Sequence, residues 1–176
     1  MGPATADPQQ VLPAQGWVAH VGGWGLGLDG TPFAGLGWTE VACDSLLEIS
    51  TMAAASLDAV YGPAVVQRLE PQQLPAALAD CRRVLKPTGV LLLSCPDLRT
   101  LGRLLAEDQL EPVLYVGPTG AIRALDLLYG PPERPHRCGF TEKVLVATLQ
   151  AAGFAQVASI TRSAACRRPD SPRSPV

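Results

Sequence analysis

The stretch PQQLPAALADCRRVLKPTGVLLLSCPD, residues 71–97, decides the fold. Within it Leu74, Ala77, Leu78, Cys81, Val84 and Leu85 fall at i, i+3, i+4, i+7, i+10 and i+11, which is one apolar stripe on a helix. Asp80, Arg82 and Arg83 take the wet face. Lys86-Pro87-Thr88-Gly89 then stops the helix, because Pro87 cannot continue it and Gly89 accepts the angles of a turn. VLLLSC (90–95) is apolar on both parities, the pattern of a strand covered on both faces in the middle of a parallel sheet.

The same logic extends in both directions. Asp97 caps a helix over DLRTLGRLLAE (97–107) that turns Leu98, Leu101 and Leu105 inward. Thr141 caps another, with Leu145, Val146, Leu149 and Ala152 as its stripe, Gly153 at C′ and FAQVASI (154–160) following as a strand. Upstream, WVAHV (17–21), TEVACD (39–44) and SLDAVYG (56–62) each hold a short apolar or β-branched core ended by Gly or Asp. Strands alternating with helices specify an α/β fold, Rossmann-like and doubly wound, with a mostly parallel sheet and helices on both faces. Ligands of such sheets sit outside the carboxyl ends of the strands, which directs attention to 22–27, 44–48, 61–64 and 95–97.

Composition bounds the function. The chain has 176 residues, the size of one domain, and 47% hydrophobic content supplies a full core. Lys+Arg 14 against Asp+Glu 16 gives a net charge of −2, which argues against a dedicated nucleic-acid binder. No run is long and apolar enough for a membrane span, and the first thirty residues carry Asp7 and Asp29 but no Lys or Arg, unlike a secretory signal. The five cysteines (Cys43, Cys81, Cys95, Cys138, Cys166) are odd in number and form no CxxC pair, so they read as small buried thiols of a reducing cytoplasm. Residues 1–13 read as a flexible entry, 14–166 as a single domain, and 167–176 as a disordered tail.

Two elements point to a ligand. Gly22, Gly23, Gly25 and Gly27 follow the first strand as GGxGxG around Trp24, where missing side chains let backbone approach a ligand. This is neither a clean GxGxxG nor a P-loop, and a simple turn fits it equally well. Asp44 ends the second strand about 20 residues on, where a carboxylate accepts hydrogen bonds from both ribose hydroxyls. Glu48 stands close enough to share that work.

SLDAVYG and LPAALADCRRVLKPTGVLLLSCPDL, with weaker similarity in YVGPTGAIRALDLLYG (115–130), HRCGFT (136–141) and LQAAGFAQV (149–157), resemble the class I S-adenosylmethionine-dependent methyltransferases, in the small bacterial branch related to the type 11 group. The resemblance implies S-adenosylmethionine as cofactor, held by Gly22, Gly23, Trp24, Gly25, Asp44, Glu48, Tyr61 and Gly62; Trp24 offers a ring to stack on adenine, with simple packing as the default. It places segment 115–136 over the acceptor, with Tyr115 and Tyr129 shaping the pocket and His136 and Asp126 as candidate bases. The implied activity is cytoplasmic methyl transfer to a small-molecule or sugar-containing acceptor.

The sequence also departs from that family. Gly62 to Arg68 (GPAVVQR) holds no His or Glu where the family commonly has both, at the edge of the methyl-transfer pocket. His20 stands where the family's first loop begins with an acid, the segment between Gly130 and His136 is short, and 161–176 offers no apolar run for the family's last strand, which is then stunted or absent. A second reading follows from these departures: a non-catalytic relative acting as a binding or assembly module, with a homodimer through the exposed sheet edge. A third, a nicotinamide-dependent Rossmann enzyme, rests on the glycines and Asp44 alone.

Overall fold

The structure, a computed structural model, describes residues 12, 14–22, 31–117 and 120–159. Four parallel strands, β1 (Gln15–Val21), β2 (Gly37–Cys43), β3 (Leu57–Pro63) and β4 (Leu85–Ser94), lie in the order β2-β1-β3-β4. β1 pairs with both β2 and β3, so that His20 stands opposite Ala42 on one side and Tyr61 on the other. The chain therefore turns one way after β1 and comes back on its other side. That reversal is a topological switch point, the place beside the carboxyl ends of the strands where sheets of this kind commonly take their ligands. The helices are α1 (Leu74–Val84), α2 (Leu98–Ala106), α3 (Ala124–Tyr129) and α4 (Glu142–Ala151), with 3-10 helices over Leu46–Thr51 and Val66–Arg68. A separate antiparallel hairpin joins β5 (Val113–Gly117) to β6 (Gly120–Arg123). The sequence reading did not expect it.

The expected stripe is buried at all six positions, five of them on α1 and the sixth, Leu85, at the start of β4. It packs with Leu46, Ile49, Ala19, Val21 and Val60 into the main core on one face of the sheet. Each such large side chain withdrawn from water contributes about 1.5–3 kcal/mol, and this contact fixes α1 on the sheet. Arg83 does not simply face water: its guanidinium donates to the carbonyls of Met52 (2.8 Å) and Ser50 (3.0 Å), closing the end of the first 3-10 helix. The opposite face carries a smaller core of Val18, Phe33, Trp38 and Ala59, against which Tyr61 and Leu92 pack.

Both expected caps are present. Asp97 accepts from the amides of Arg99 and Thr100, and Thr141 Oγ1 accepts from Val144. Gly153 follows α4 at φ +91°. Other expectations need correction. Among the described residues β4 is an edge strand, not a central one. Leu91 and Leu93 pack toward the main core and Leu92 toward the smaller one, so the apolar run reports two apolar faces and not two neighbours. α1 ends at Val84, before the Pro87 turn, and Lys86 to Gly89 sit inside β4 as an irregularity between the Leu57–Leu85 and Ala59–Val90 pairings. Gly89 is required there for space and not for its backbone angles: a Cβ would come within 2.9 Å of Leu85 Cδ2.

Residues 154–159 form no strand. Phe154 packs on the main core, yet the segment joins no ladder, and a lone apolar run is not enough without a neighbouring strand to pair with. In α2 only Leu101 is buried, while Leu98 and Leu105 are exposed, because the helix meets its neighbours along one line of side chains. The stripe of α4 is half-buried throughout. The expectation about a last strand beyond 160 concerns residues outside those described. Among the described residues no helix is long and apolar enough to cross a membrane.

Candidate functional site

The carboxyl ends of β1 and β3 are built around one valine. Gly22, at φ +70°, donates its amide to the carbonyl of Cys43 (2.6 Å), which ties the end of β1 to the end of β2 and sets Asp44 beside it. A Cβ on Gly22 would lie 2.7 Å from Val65 Cγ1, and one on Gly62 would lie 2.7 Å from Val65 Cγ2. Both glycines thus give up side-chain space to Val65, which is buried between them. The same position on Gly22 is 3.5 Å from Arg68 Nη1. Between Gly62 and Val65 the chain turns through Ala64 at φ +52°, held by its amide to the carbonyl (3.0 Å) and hydroxyl (3.2 Å) of Ser94. A left-handed alanine costs on the order of 1 kcal/mol and persists only where its surroundings impose it.

Around this corner the polar groups divide into engaged and open. Glu48 Oε2 accepts from the Asp44 amide (3.2 Å), and Ser45 Oγ caps the adjoining 3-10 helix through Leu47. Glu48 is therefore committed to the backbone. The exposed carboxylate of Asp44 accepts no hydrogen bond from any described residue. His136 is engaged through both ring nitrogens, Nδ1 to the carbonyl of Leu127 (3.0 Å) and Nε2 to Gln67 Nε2 (3.4 Å). Burial pushes its pKa below the usual histidine value; the carbonyl bond opposes this, and the charge of Arg68 adds to it. A neutral imidazole with Nδ1–H toward Leu127 leaves Nε2 to accept from the Gln67 amide. Gln67, buried, keeps its Oε1 without a partner.

No protein-family model and no curated protein matches the sequence. Solved structures of similar course do. One is a SAM-dependent methyltransferase from Thermotoga maritima: 15% identity, TM-score 0.44, covering 85% of this chain and 70% of that one. A second, from Archaeoglobus fulgidus, has 17% identity and TM-score 0.49, covering 78% and 60%. A third is the 1,6-didemethyltoxoflavin-N1-methyltransferase of Burkholderia thailandensis, solved with 1,6-didemethyltoxoflavin and S-adenosylhomocysteine: 20% identity, TM-score 0.47, covering 82% and 64%. These neighbours are SAM-dependent methyltransferases. The chain spans between 60% and 70% of their length.

The remaining candidates fall in several places. Gly23, Trp24 and Gly25 lie outside the described residues. Tyr61 is half-buried on the smaller-core face, its ring 5.2 Å from that of His20 and 5.6 Å from that of Phe33. Asp126 accepts from the Arg123 amide (2.8 Å) and caps α3. Tyr115 and Tyr129 are exposed, 45% and 63%, so neither is a core residue. Cys43, Cys81 and Cys95 are free thiols pushed up by burial to about 11, 12 and 11, which leaves them protonated and unreactive. A groove of about 1400 Å³ follows the outer edge of β4 against Leu145 and Leu149 of α4.

Three polar residues escaped the sequence reading. Glu40 holds buried His20 through Nδ1 at 2.8 Å. Its signal was parity, since residues 40 and 42 share a face and 42 is the partner of His20 across the ladder. Gln67 and Arg68 gave only the weak signal of standing where the resembled family carries other polar groups. The partner of Gln67 lies 69 residues away, in a segment whose position no local pattern reports.

Proposed function

We propose that the protein is a cytoplasmic S-adenosylmethionine-dependent methyltransferase with a small-molecule or sugar-containing acceptor. The observation that carries the reading is the placement of Asp44. Its carboxylate is exposed and unengaged by described residues, one position past β2, and the Gly22–Cys43 bond holds it at the switch point. A carboxylate there suits the paired hydroxyls of a ribose. The likeness of 56–98 to the methyltransferases supports the same assignment. When bound, S-adenosylmethionine supplies a sulfonium methyl group whose leaving group is already activated. The chain's task is then mainly positioning, which lowers such a barrier by as much as ~7–11 kcal/mol. Asp44 orients the nucleoside and Gly22 keeps the end of β1 free of a side chain. Val65 forms a dry apolar floor. His136, engaged at both nitrogens, fixes Gln67 rather than taking a proton, and Asp126 serves α3.

Calorimetry with S-adenosylhomocysteine on the full chain tests this. Wild type is expected to bind, and Asp44→Ala to bind at least about tenfold more weakly, the worth of a hydrogen bond to a charged group. No heat at millimolar ligand removes the reading. Val65 favours the other reading, a non-catalytic binding or assembly module, because it fills the space that Gly22 and Gly62 leave. That reading requires no nucleoside binding and a homodimer through the outer edge of β4, measurable by sedimentation.

A further inference from the structure

Arg68 closes the short helix that follows β3, with Nη1 over the end of β1 at Gly22. Its Nε is buried and bonds nothing. Among the described residues it takes part in no ion pair. Glu70, two positions along, is held instead by Arg137 at 3.4 Å. What faces Arg68 is more positive charge. Burial, then the nearby Arg134, lower its pKa from the usual arginine value. The surroundings cannot relax this by swinging away. The amides of Arg137 and Cys138 both donate to the carbonyl of Gln67 (2.7 and 3.1 Å), and that of His136 donates to Tyr129 (2.8 Å). A Cβ on Gly130 would lie 2.7 Å from His136 Cδ2, so this loop is also closely packed. The backbone thus fixes residues 136–138 against Gln67, beside Arg68, at the carboxyl end of the sheet.

A half-buried guanidinium with no counter-ion among the described residues weakens a fold, and an oxyanion that accepts two parallel hydrogen bonds is the partner that its fork of donors matches. We propose that Arg68 is the docking group for an oxyanion, carboxylate or phosphate, carried by the small molecule that binds at the ends of β1 and β3. The assignment rests on the reading of the switch point as the ligand site, and it extends it by naming a charge that the ligand must carry. Two sources supply that chemistry, the carboxylate of the methyl donor or an acid group of the acceptor.

Thermal unfolding of the full chain in inorganic phosphate, at ionic strength held constant with chloride, tests the charge without any activity. Wild type is expected to show a saturable rise in Tm. Arg68→Gln is expected to start at a Tm no lower than wild type and to lose the saturable rise; Arg68→Lys, which keeps the charge but not the fork, retains a weaker one. A rise that does not saturate and is equal in wild type and both variants is general salting-out and overturns the proposal. So does the absence of any rise in wild type.

Calorimetry then separates the sources. If Arg68→Gln weakens S-adenosylhomocysteine about tenfold or more and leaves 5′-methylthioadenosine, which lacks the carboxylate, unchanged, the anion is the donor's. If both nucleosides bind as before while the phosphate response is lost, it is the acceptor's. If neither nucleoside binds wild type, the methyltransferase reading falls, and the phosphate response still decides the role of Arg68.

Discussion

The two ends of the parallel sheet are finished differently. At the amino ends Asp58 accepts from the Trp17 amide (2.9 Å), and both its oxygens take Lys86 Nζ at 2.9 Å. A Cβ on Gly16 would already collide with that carboxylate at 2.8 Å, so the charges are answered and the packing is tight. At the carboxyl ends Arg68 Nε and Gln67 Oε1 are buried without partners, and Ala64 holds a strained left-handed angle. Buried polar groups are normally satisfied, so this adjacent pair marks a place where local stability has yielded to another demand; at the amino ends Trp38 Nε1 is a single such group and Ala55 a second left-handed alanine. The amino ends are tied together by an answered ion pair. Under the proposed function, the demand at the carboxyl ends is a ligand.

The contrast can be broken most strongly at Gly22. Gly22→Val combines a positive φ with a side chain driven into Val65, and is expected to cost about 3 kcal/mol in urea unfolding. If it is neutral, the corner around Val65 is not packed as described. Asp58→Asn, at the other end, is expected to cost about 1 kcal/mol at pH 7, because the Trp17 amide keeps an acceptor and the lysine is partly solvated.

Acid separates the two ends. The Trp17 hydrogen bond, then Lys86, hold the Asp58 carboxyl below its ordinary pKa, although burial opposes them. Its contribution is complete above the unfolded value near ~4 and is lost as pH falls through the lower folded value. Asp97 is lowered too, its hydrogen bonds from Thr100 and Arg99 overcoming burial, and acts in the same window. His136 is a base with a lowered pKa, so the unfolded chain takes up a proton first. Stability then begins to fall as pH drops below about 6.5. Unfolding free energies from pH 8 to 3 should show an early decline that His136→Gln removes and a late one that Asp58→Asn reduces. The smallest effect is a gain. Ala64→Gly relieves the left-handed angle at some entropic cost and is expected to stabilise by about 0.5 kcal/mol, in the Tm of the unliganded chain.

What could be read from the sequence was what neighbouring residues say about each other. The α1 stripe was legible because six apolar residues share a period of 3.6, and the caps at Asp97 and Thr141 because short polar side chains precede apolar turns. The position of Asp44 past β2 followed from strand length alone. The edge position of β4 was not legible, since two apolar faces look alike with one neighbour or two. Glycines announced freedom of backbone at 22 and 62 but not its use. Val65 claims that space, and it comes from a part of the chain that no local rule connects to Gly22. The clamp of Gln67 by residues 136–138 is likewise set by how distant segments meet.

The outer margin of β4 has a practical consequence. Its first half is guarded by Lys86, Pro87 and the irregular pairing, all of which discourage a further strand from adding. From Val90 to Leu93 no charge or proline interrupts four apolar residues on a margin that no described strand covers. Such a stretch is a template for cross-β growth. Concentrated stocks of the protein should therefore lose material by seeded, fibril-like association, and a gatekeeper lysine at Val90, which packs in neither core, should slow that loss without altering the carboxyl end of the sheet.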